Sequence, residues 1–468
     1  MKTNMTQTTN GMVALKSSFN HNVDLFAKIG SARGVDLSSM FRKAYSEDSN
    51  LAVRNLLWVR DIRGGAGERQ TFRSLMNQLA RECHITYVAR VVSKIPEVGR
   101  WDDLWELIGL NQQLDFLITE MVAQALLDKN GLCAKWLPRE GKKHSRFFMN
   151  QFEMTPRTYR KLIVSQSKTV EQQMCAKQWD DIEFGKIPSV AAKNYQRAFK
   201  RNCPELYQEY VDGLASGATK INAAAIFPYD VIRGLNGVQG VADAQWKALP
   251  DYLAGSTENL LGVVDTSSSM TCQASKGLTC LEVAVSLGMY VAERSQGIFK
   301  DQFITFHSKP SFVDLSGCNS LRERHAKTLN AEWGGSTNLQ ATFELILKAA
   351  VTHRVPADEM PTKLIIWSDM QFNEAVRGGY NQSGWKSTAF EMIDSMYAAA
   401  GYKRPQIIFW NLNGSHSGNP VSFGEGGTAM VSGFSPAIMK SILGNAKVEE
   451  MTPLSMMLDT LMVPRYDW

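Results

Sequence analysis

The amino-acid sequence predicts an α-helical domain over residues 21–255, followed by a doubly wound α/β domain with a mostly parallel sheet over residues 256–468. Two observations predict this layout: apolar residues recur at helical spacing in the first half, and strand-like runs alternate with helices in the second. The length of 468 residues also favours two domains over one. Residues 1–20 are polar and rich in threonine and asparagine, so we expect a flexible tail there.

The helical half shows its apolar spacing from Val23 to about Tyr210. LAVRNLLWVRDI and TFRSLMNQLA each carry one broad apolar stripe. The further predicted helices are LWELIGLNQQLDFLITEMVAQALLDK, TPRTYRKLIVSQSK and VAAKNYQRAFKR. Helix after helix with short polar breaks predicts paired antiparallel helices in a HEAT-like α-solenoid, with an irregular bundle as the alternative.

The α/β half begins after a glycine- and alanine-rich passage from Gly234 to Gly255. Its predicted strands are LLGVVD, DQFITF with FVDL as a hairpin mate, TKLIIWSD, PQIIFWNL and TAMVSGF. Its predicted helices are LEVAVSLGMYVAER, LQATFELILKAAVT, STAFEMIDSMYAAAG, SPAIMKSIL and PLSMMLDTLM. The near-continuous apolar character of the strands is typical of a parallel sheet covered on both faces.

Charge is unevenly divided between the halves. Residues 1–250 hold 34 lysines and arginines against 25 aspartates and glutamates, whereas residues 251–468 hold 17 against 21. This asymmetry favours a polyanionic partner for the first half, with a solvated charge bias as the alternative. The seven cysteines form no CxxC pair, and no apolar run is long enough to span a membrane, so we expect a cytoplasmic protein.

Oxygen-bearing side chains follow the predicted strands. Asp265, Ser267 and Ser269 come after LLGVV, Thr337 lies in a GGST loop before a helix, and Asp369 closes TKLIIW. Loops at the carboxyl ends of parallel strands meet at one edge of the sheet. Two carboxylates and three hydroxyls suit Mg²⁺, or Mn²⁺ in its place. The combination resembles the metal-ion-dependent adhesion site of von Willebrand factor A domains, which implies one metal position left for a partner's carboxylate.

Motifs of catalysis are missing from the sequence. It contains no Walker A, HExxH or GxSxG motif and no obvious Cys/His pair. His307 is the one histidine near a predicted strand end, and we expect it to be a packed or solvated loop residue. We therefore expect no enzymatic activity, and a metal-dependent nuclease or hydrolase is the least supported alternative because no general base is evident.

Basic residues of the first half cluster in three segments. RDIRGGAGERQTFR joins two helices and suits either a phosphate cradle or a plain connection in which Arg60 and Arg69 pair with Asp61 and Glu68. KWLPREGKKHSRFF and TPRTYRKLIVSQSK interleave cations with aromatic residues, as single-stranded nucleic acid requires. The candidate RNA-binding residues are Arg60, Arg63, Arg69, Arg73, Lys135, Lys142, Lys143, Arg157, Arg160 and Lys161.

The whole layout resembles the Ro autoantigen proteins, in which a helical TROVE module precedes a von Willebrand factor A domain. The phrases RDIRGGAGER, IPEVGRWDDLW, AKWLPRE and KINAAAIFPYDVI resemble more closely a related family of the same layout, whose function is unknown. In Ro proteins the helical repeats close into a ring, single-stranded RNA ends enter its hole, and small structured RNAs bind its basic outer face.

This resemblance implies an RNA-binding protein of Ro ribonucleoprotein type, with single-stranded or small structured RNA on the helical domain. Its divalent-metal site would bind a protein partner. The alternative is a metal-dependent protein-interaction scaffold that binds no RNA, such as a viral or mobile-element assembly factor.

Overall fold

The computed structural model describes residues 4–8, 10–334, 337–372, 387–416, 418–443 and 451–468. Helices occupy most of the chain between residues 21 and 247. They are α1 His21–Ile29, α2 Ser38–Glu47, α3 Ser49–Arg60, α4 Gln70–Glu82, α5 Ile85–Val98, α6 Gln112–Leu127, α7 Gly131–Trp136, α8 Ser145–Gln151, α9 Pro156–Ser167, α10 Val170–Cys175, α11 Ser189–Asn202, α12 Pro204–Ser216, α13 Pro228–Arg233 and α14 Val241–Lys247. Helices that follow one another pack together, including α1 on α2, α2 on α3 and α3 on α4.

Helix α3 lies at the centre of the helical half, and its sequence explains why. The side chain of Asp48 caps it by accepting a hydrogen bond from the N–H of Leu51. Every residue from Ala52 to Arg60 is buried, so the helix is covered on all sides. Its broad apolar stripe is therefore explained by a central position among the other helices.

The second half is built on a six-stranded sheet. The strands of the chain are β1 Met5–Gln7, β2 Val13–Leu15, β3 Leu260–Asp265, β4 Gln273–Ser275, β5 Leu278–Thr279, β6 Gln302–Phe306, β7 Ser311–Asp314, β8 Lys363–Ser368, β9 Gln406–Asn411 and β10 Thr428–Ser432. The helices of this half are α15 Cys280–Arg294, α16 Leu321–Leu329, α17 Leu339–His353, α18 Ser387–Ala399, α19 Met439–Leu443 and α20 Pro453–Leu461.

The sheet order is β10-β9-β8-β3-β6-β7, and all neighbours are parallel except the β6–β7 hairpin. Every residue of β3, β8, β9 and β10 is buried, so both faces of these strands are covered. The predicted mixed architecture with a mostly parallel sheet is confirmed. Chain order reverses between β3 and β8, which have β6 and β9 on their outer sides.

The two halves pack directly against each other. Helix α1 lies along β10, where the N–H of Gly30 donates to Oγ of Ser432 at 3.0 Å and that hydroxyl donates to the carbonyl of Phe26 at 2.8 Å. Helix α13 packs on α15. A strand at the edge of the sheet is thus covered by the first helix of the other half, which closes it to pairing with a further chain.

The expected tail at residues 1–20 is instead a hairpin where the structure describes it. Strands β1 and β2 pair antiparallel, and Leu15 forms an isolated bridge with Asn419. The hydroxyl of Thr8 donates to the carbonyl of Phe372 at 2.8 Å. The expectation of a flexible tail is wrong because these polar residues find partners in the sheet half.

The main hydrophobic core runs through both halves, from Met12 to Tyr466. A second, smaller core forms between residues 170 and 241, around Phe184, Phe199 and Tyr207. Among the described residues, no helix combines the length and the apolar character needed to cross a membrane.

Candidate metal centre and nucleic-acid interface

The candidate metal ligands meet where the chain order of the sheet reverses. Strands β3 and β8 are parallel neighbours, with Val264 opposite Trp367. Asp265 is the last residue of β3, and Asp369 follows the last residue of β8. Both carboxylates therefore emerge at the same edge, in the position where α/β sheets bind ligands.

Hydrogen bonds hold these side chains in one cluster. Asp265 accepts from the N–H of Ser267 at 2.9 Å through Oδ1, and from the hydroxyl of Ser368 at 2.6 Å through Oδ2. Oγ of Ser267 and Oγ of Ser269 are 3.1 Å apart, and the Ser269 hydroxyl donates to Oδ1 of Asp369 at 3.3 Å. The structure thus brings together four of the five predicted ligands.

The electrostatics of the cluster favour a cation. Asp265 and Asp369 are both fully buried. Burial, together with the negative charge of Asp369, raises the pKa of Asp265 to about 7, and burial raises the pKa of Asp369 as well. Oδ2 of Asp369 is buried and has no hydrogen-bond partner among the described residues. A cation between the carboxylates would offset the unfavourable burial of their charges.

The spacing of the oxygens fits Mg²⁺ or Mn²⁺. Octahedral Mg²⁺ with metal–oxygen distances of about 2.0–2.1 Å has neighbouring ligand oxygens about 2.9 Å apart. The separation of 3.1 Å between Oγ of Ser267 and Oγ of Ser269, and that of 3.3 Å between Oγ of Ser269 and Oδ1 of Asp369, are close to that value. No group of three or more His, Cys, Asp or Glu side chains suited to a metal occurs within the described ranges. A metal at this edge of the sheet would therefore need hydroxyl oxygens besides the two carboxylates.

Thr337 is buried at the entrance to α17. The next residue, Asn338, caps that helix by accepting from the N–H of Ala341 at 2.9 Å. The prediction that this loop opens a helix is confirmed. Gly335 and Ser336 of the same loop lie outside the described residues.

A cluster of Cys272, Cys280, Asn413 and His416 adjoins the candidate metal site, and no motif in the sequence predicted it. Sγ of Cys272 and Sγ of Cys280 are hydrogen-bonded 3.4 Å apart, and Nδ2 of Asn413 donates to Sγ of Cys272 at 3.3 Å. His416 also hydrogen-bonds to Cys272, and its Nε2 lies 4.0 Å from Oδ2 of Asp369. The expectation of no Cys/His pair is therefore wrong.

The loop after β9 is what brings His416 to this edge of the sheet. His307 is thus not the one histidine near a strand end; it is buried, as a packed loop residue. A signal was available in the sequence, because His416 follows the predicted strand PQIIFWNL by a few residues. That loop carries no ligand motif, however, and only the pairing of β9 with β8 reveals its position.

Two of the predicted RNA-binding arginines belong to a buried ion-pair network. Arg60 is buried and donates to Oδ2 of Asp103 at 2.7 Å, and Arg73 donates to Oδ1 of the same carboxylate at 2.7 Å. Arg73 also pairs with Asp102 at 2.9 Å and lies 3.5 Å from Glu106. Because these guanidinium groups already bind carboxylates within the fold, we propose no RNA contact for Arg60 or Arg73.

The backbone N–H groups of the glycine-rich loop between α3 and α4 are hydrogen-bonded within the loop itself. The N–H groups of Gly65 and Gly67 donate to the carbonyl of Asp61 at 3.0 and 3.1 Å. The carboxylate of Glu68 accepts from the first two N–H groups of α4 and caps that helix. These groups already have partners, so the loop is a helix connection rather than a phosphate cradle. Its Asp61 pairs with Arg465.

The other eight candidates lie at the surface. Arg63, Arg69, Lys142, Lys143, Arg157, Arg160 and Lys161 are exposed, and Lys135 is half-buried. Arg160 pairs with Glu140 at 3.0 Å, and Lys143 lies 3.7 Å from Glu106. The ammonium of Lys135 lies over the ring of Trp136, 5.7 Å from its centroid.

A surface groove runs beside α9. It consists of two adjoining depressions of about 820 and 740 Å³ that share Val164, Thr169, Glu171 and Gln172. The cations that line this α9 groove are Lys135, Lys168, Lys186, Arg139 and Arg160. The acidic lining residues are Glu140, Glu171, Asp181 and Glu183. Two of the predicted residues, Lys135 and Arg160, therefore line this groove, while Arg63 and Arg69 belong to the separate α3–α4 loop.

Comparisons with known proteins place the chain among uncharacterised relatives. Residues 259–460 match the model of a domain of unknown function, DUF7788, and residues 114–258 match that of another, DUF2828. The chain is 31% identical over 517 aligned residues to "Uncharacterized protein L728" of Acanthamoeba polyphaga mimivirus, covering 98% of this chain and 87% of the relative. The crystal structure of the Deinococcus radiodurans Ro (RSR) protein is similar with a TM-score of 0.45 and 15% identity, over 95% of this chain and 100% of that one.

Proposed function

We propose, from the premise that this chain belongs to the family of the mimivirus protein L728, that it is an RNA-binding protein of the Ro type with a divalent-cation site for a protein partner. We further propose a fold assignment for each half of the chain. Helices α1–α14 would form a HEAT-like, TROVE-type module, and the sheet half would be a von Willebrand factor A domain. The phrases RDIRGGAGER and GRWDDLW support this assignment by their resemblance to that layout.

The observation that carries RNA binding is a stripe of cations along α9. Arg157 and Lys161 lie one turn apart on α9, the exposed Val164 follows them, and Lys168 is the residue at which the helix ends. None of the three cations forms an ion pair with another described residue. They can therefore neutralise phosphates without first giving up a carboxylate partner.

The α9 groove adjoins this stripe, because Val164 and Lys168 belong to both, and we propose that it holds an RNA strand. Lys135 and Arg139 line it from the side of α7 and the segment that follows. Exposed Leu132 and Val164 add apolar surface between the cations. Cations with apolar surface between them suit the phosphates and bases of a single strand better than the regular backbone of a duplex.

We also propose a metal site at the edge of the sheet where β3 and β8 end. Asp265, Ser267, Ser269, Thr337 and Asp369 would hold Mg²⁺ or Mn²⁺, and the ion would offer its open position to a carboxylate of a protein partner. We propose a binding role rather than an enzymatic one, in the cytoplasm. The buried carboxylates and the convergence of their hydroxyl neighbours support the metal, and the resemblance to adhesion sites supports the partner.

Fluorescence anisotropy with a labelled single-stranded RNA tests the first part. The variant Arg157→Ala/Lys161→Ala/Lys168→Ala should bind roughly tenfold more weakly or worse, because three phosphate contacts are lost. The matched control removes three exposed cations of the sheet half, Lys300→Ala/Lys348→Ala/Lys403→Ala, and should bind as the unaltered chain does.

The scaffold alternative gives a different result in the same experiment. Both triple variants would then bind RNA equally weakly, and binding of a protein partner would disappear with EDTA. Equal losses in the two variants would contradict the proposed RNA surface, since net charge alone would explain them.

A further inference from the structure

Cys272 and Cys280 face each other across a small hairpin. Strands β4 and β5 lie between them, and the pairing of Gln273 with Thr279 places the two cysteines opposite one another. The N–H of Cys280 donates to the carbonyl of Cys272 at 3.1 Å. Opposite residues of an antiparallel pair have Cα atoms about 4.5–5.5 Å apart, within the range of a disulfide. With the sulfurs 3.4 Å apart, a bond needs only a small movement of the side chains.

The surroundings of the two thiols differ. Cys272 is half-buried and receives hydrogen bonds from Asn413 and His416. The hydrogen bond with Cys280, followed by those with His416 and Asn413, lowers the pKa of Cys272 to about 5. Cys280 is buried and donates to the carbonyl of Leu412 at 3.3 Å; the hydrogen bond with Cys272 and burial raise its pKa. Cys272 is therefore the nucleophile of the pair, and Cys280 keeps its proton.

We propose that Cys272 and Cys280 form a modification site at which a small peroxide, such as hydrogen peroxide, converts the dithiol into a disulfide. The half-buried thiol of Cys272 and the buried thiol of Cys280 match the arrangement of an attacking and a resolving cysteine. The site stands beside the metal centre and is independent of RNA binding, because it uses none of the cations of the α9 groove.

Oxidation of the two thiols needs no reactant besides the peroxide. The Cys272 thiolate attacks one peroxide oxygen, the O–O bond breaks, and hydroxide leaves as Cys272 becomes a sulfenic acid. Sγ of Cys280 then attacks that sulfur, the S–O bond breaks, and the departing hydroxide takes up the proton of Cys280 as water. The two thiols lose two electrons, and the peroxide gains them.

The disulfide would join the loop that carries the candidate ligands Ser267 and Ser269 to helix α15. Cys272 follows Ser269 by three residues, and Cys280 is the first residue of α15. Oxidation would therefore join the segment that carries two candidate ligands to a helix packed on β3. Reduction by a thiol would release it.

Peptide mapping of the full chain tests the proposal. The reduced protein is treated with hydrogen peroxide at pH 6, where ordinary thiols are largely protonated, and is then alkylated and digested with trypsin without reduction. Cleavage after the exposed Lys276 leaves Cys272 and Cys280 on two fragments with one cysteine each. We expect these fragments to be held together by a disulfide, while the exposed Cys175 stays alkylated.

Two variants test which cysteine reacts first. Cys280→Ser should stop at a sulfenic acid on Cys272 that dimedone traps, and Cys272→Ser should give neither product. Cys175→Ser is the matched control and should leave the linked fragments unchanged. Separate, fully alkylated fragments from the unaltered chain, or Cys175 oxidised as fast as Cys272, would overturn the proposal regardless of how the variants fold.

Discussion

Arg465 donates to both oxygens of the buried Asp61 carboxylate, at 2.5 Å from Nε and 2.9 Å from Nη2. The hydroxyl of Tyr466 adds a third hydrogen bond to the same group at 3.1 Å. Asp61 begins the glycine-rich loop after α3, whereas Arg465 follows α20. The contact therefore joins the centre of the helical half to the segment that follows the sheet, and the pKa of Arg465 is raised by its hydrogen bond to Asp61.

Removing this arginine should destabilise the chain. Arg465→Gln should lower the free energy of unfolding by about 2 kcal/mol, because Asp61 stays buried with fewer donors. Arg42→Gln breaks an exposed pair with Glu82, which solvent screens, so it should change the free energy of unfolding far less than Arg465→Gln does. Urea unfolding followed by circular dichroism measures both. Equal costs for the two variants would mean that the Asp61 contact does not hold the halves together.

Close packing of α1 on β10 gives a second prediction. A Cβ at Gly30 would lie 2.2 Å from the carbonyl oxygen of Ser432, so Gly30→Ala should cost about 1–3 kcal/mol through the displacement of the helix. Gly234→Ala is the control, since a Cβ there meets no atom within 4 Å. Thermal melts of both variants would show whether the helix is pressed on the strand as described; an unchanged Gly30→Ala melt would argue against it.

Much of this architecture could be predicted from the sequence. The strands of the sheet were predictable because buried parallel strands are continuous apolar runs, and Asp265 and Asp369 could be paired because such strands end at one edge. The hairpin of β1 and β2 was not predictable, since its partner Asn419 is distant in sequence. Neither was the role of Arg60, because a charge pattern does not show that Asp103 will meet it inside the fold.

The metal centre gives a third prediction. Asp369→Asn should weaken Mn²⁺ binding by more than about 100-fold, because it removes a carboxylate from a site with only two. Asp314→Asn, which changes an exposed aspartate at the end of β7, should leave the affinity unchanged. Isothermal titration calorimetry with the full chain measures both values, and a tight Mn²⁺ complex of Asp369→Asn would exclude this site.

The same centre predicts a dependence on pH. The folded, metal-free chain keeps Asp265 protonated up to about pH 7, while the unfolded chain releases that proton near pH 4, so stability falls as the pH rises between these values. Metal binding requires the ionised carboxylate. Mn²⁺ should therefore raise the melting temperature more at pH 8 than at pH 5, and a larger effect at pH 5 would contradict the assignment.

The salt dependence of RNA binding tests the central claim most directly. The logarithm of the affinity for a single-stranded RNA should fall linearly with the logarithm of the salt concentration. Loss of Arg157, Lys161 and Lys168 should reduce that slope by about 2, at about 0.7 for each phosphate contact. The control lacking Lys300, Lys348 and Lys403 should keep the slope of the unaltered chain. A slope that is the same in all three proteins would show that these α9 cations do not hold RNA.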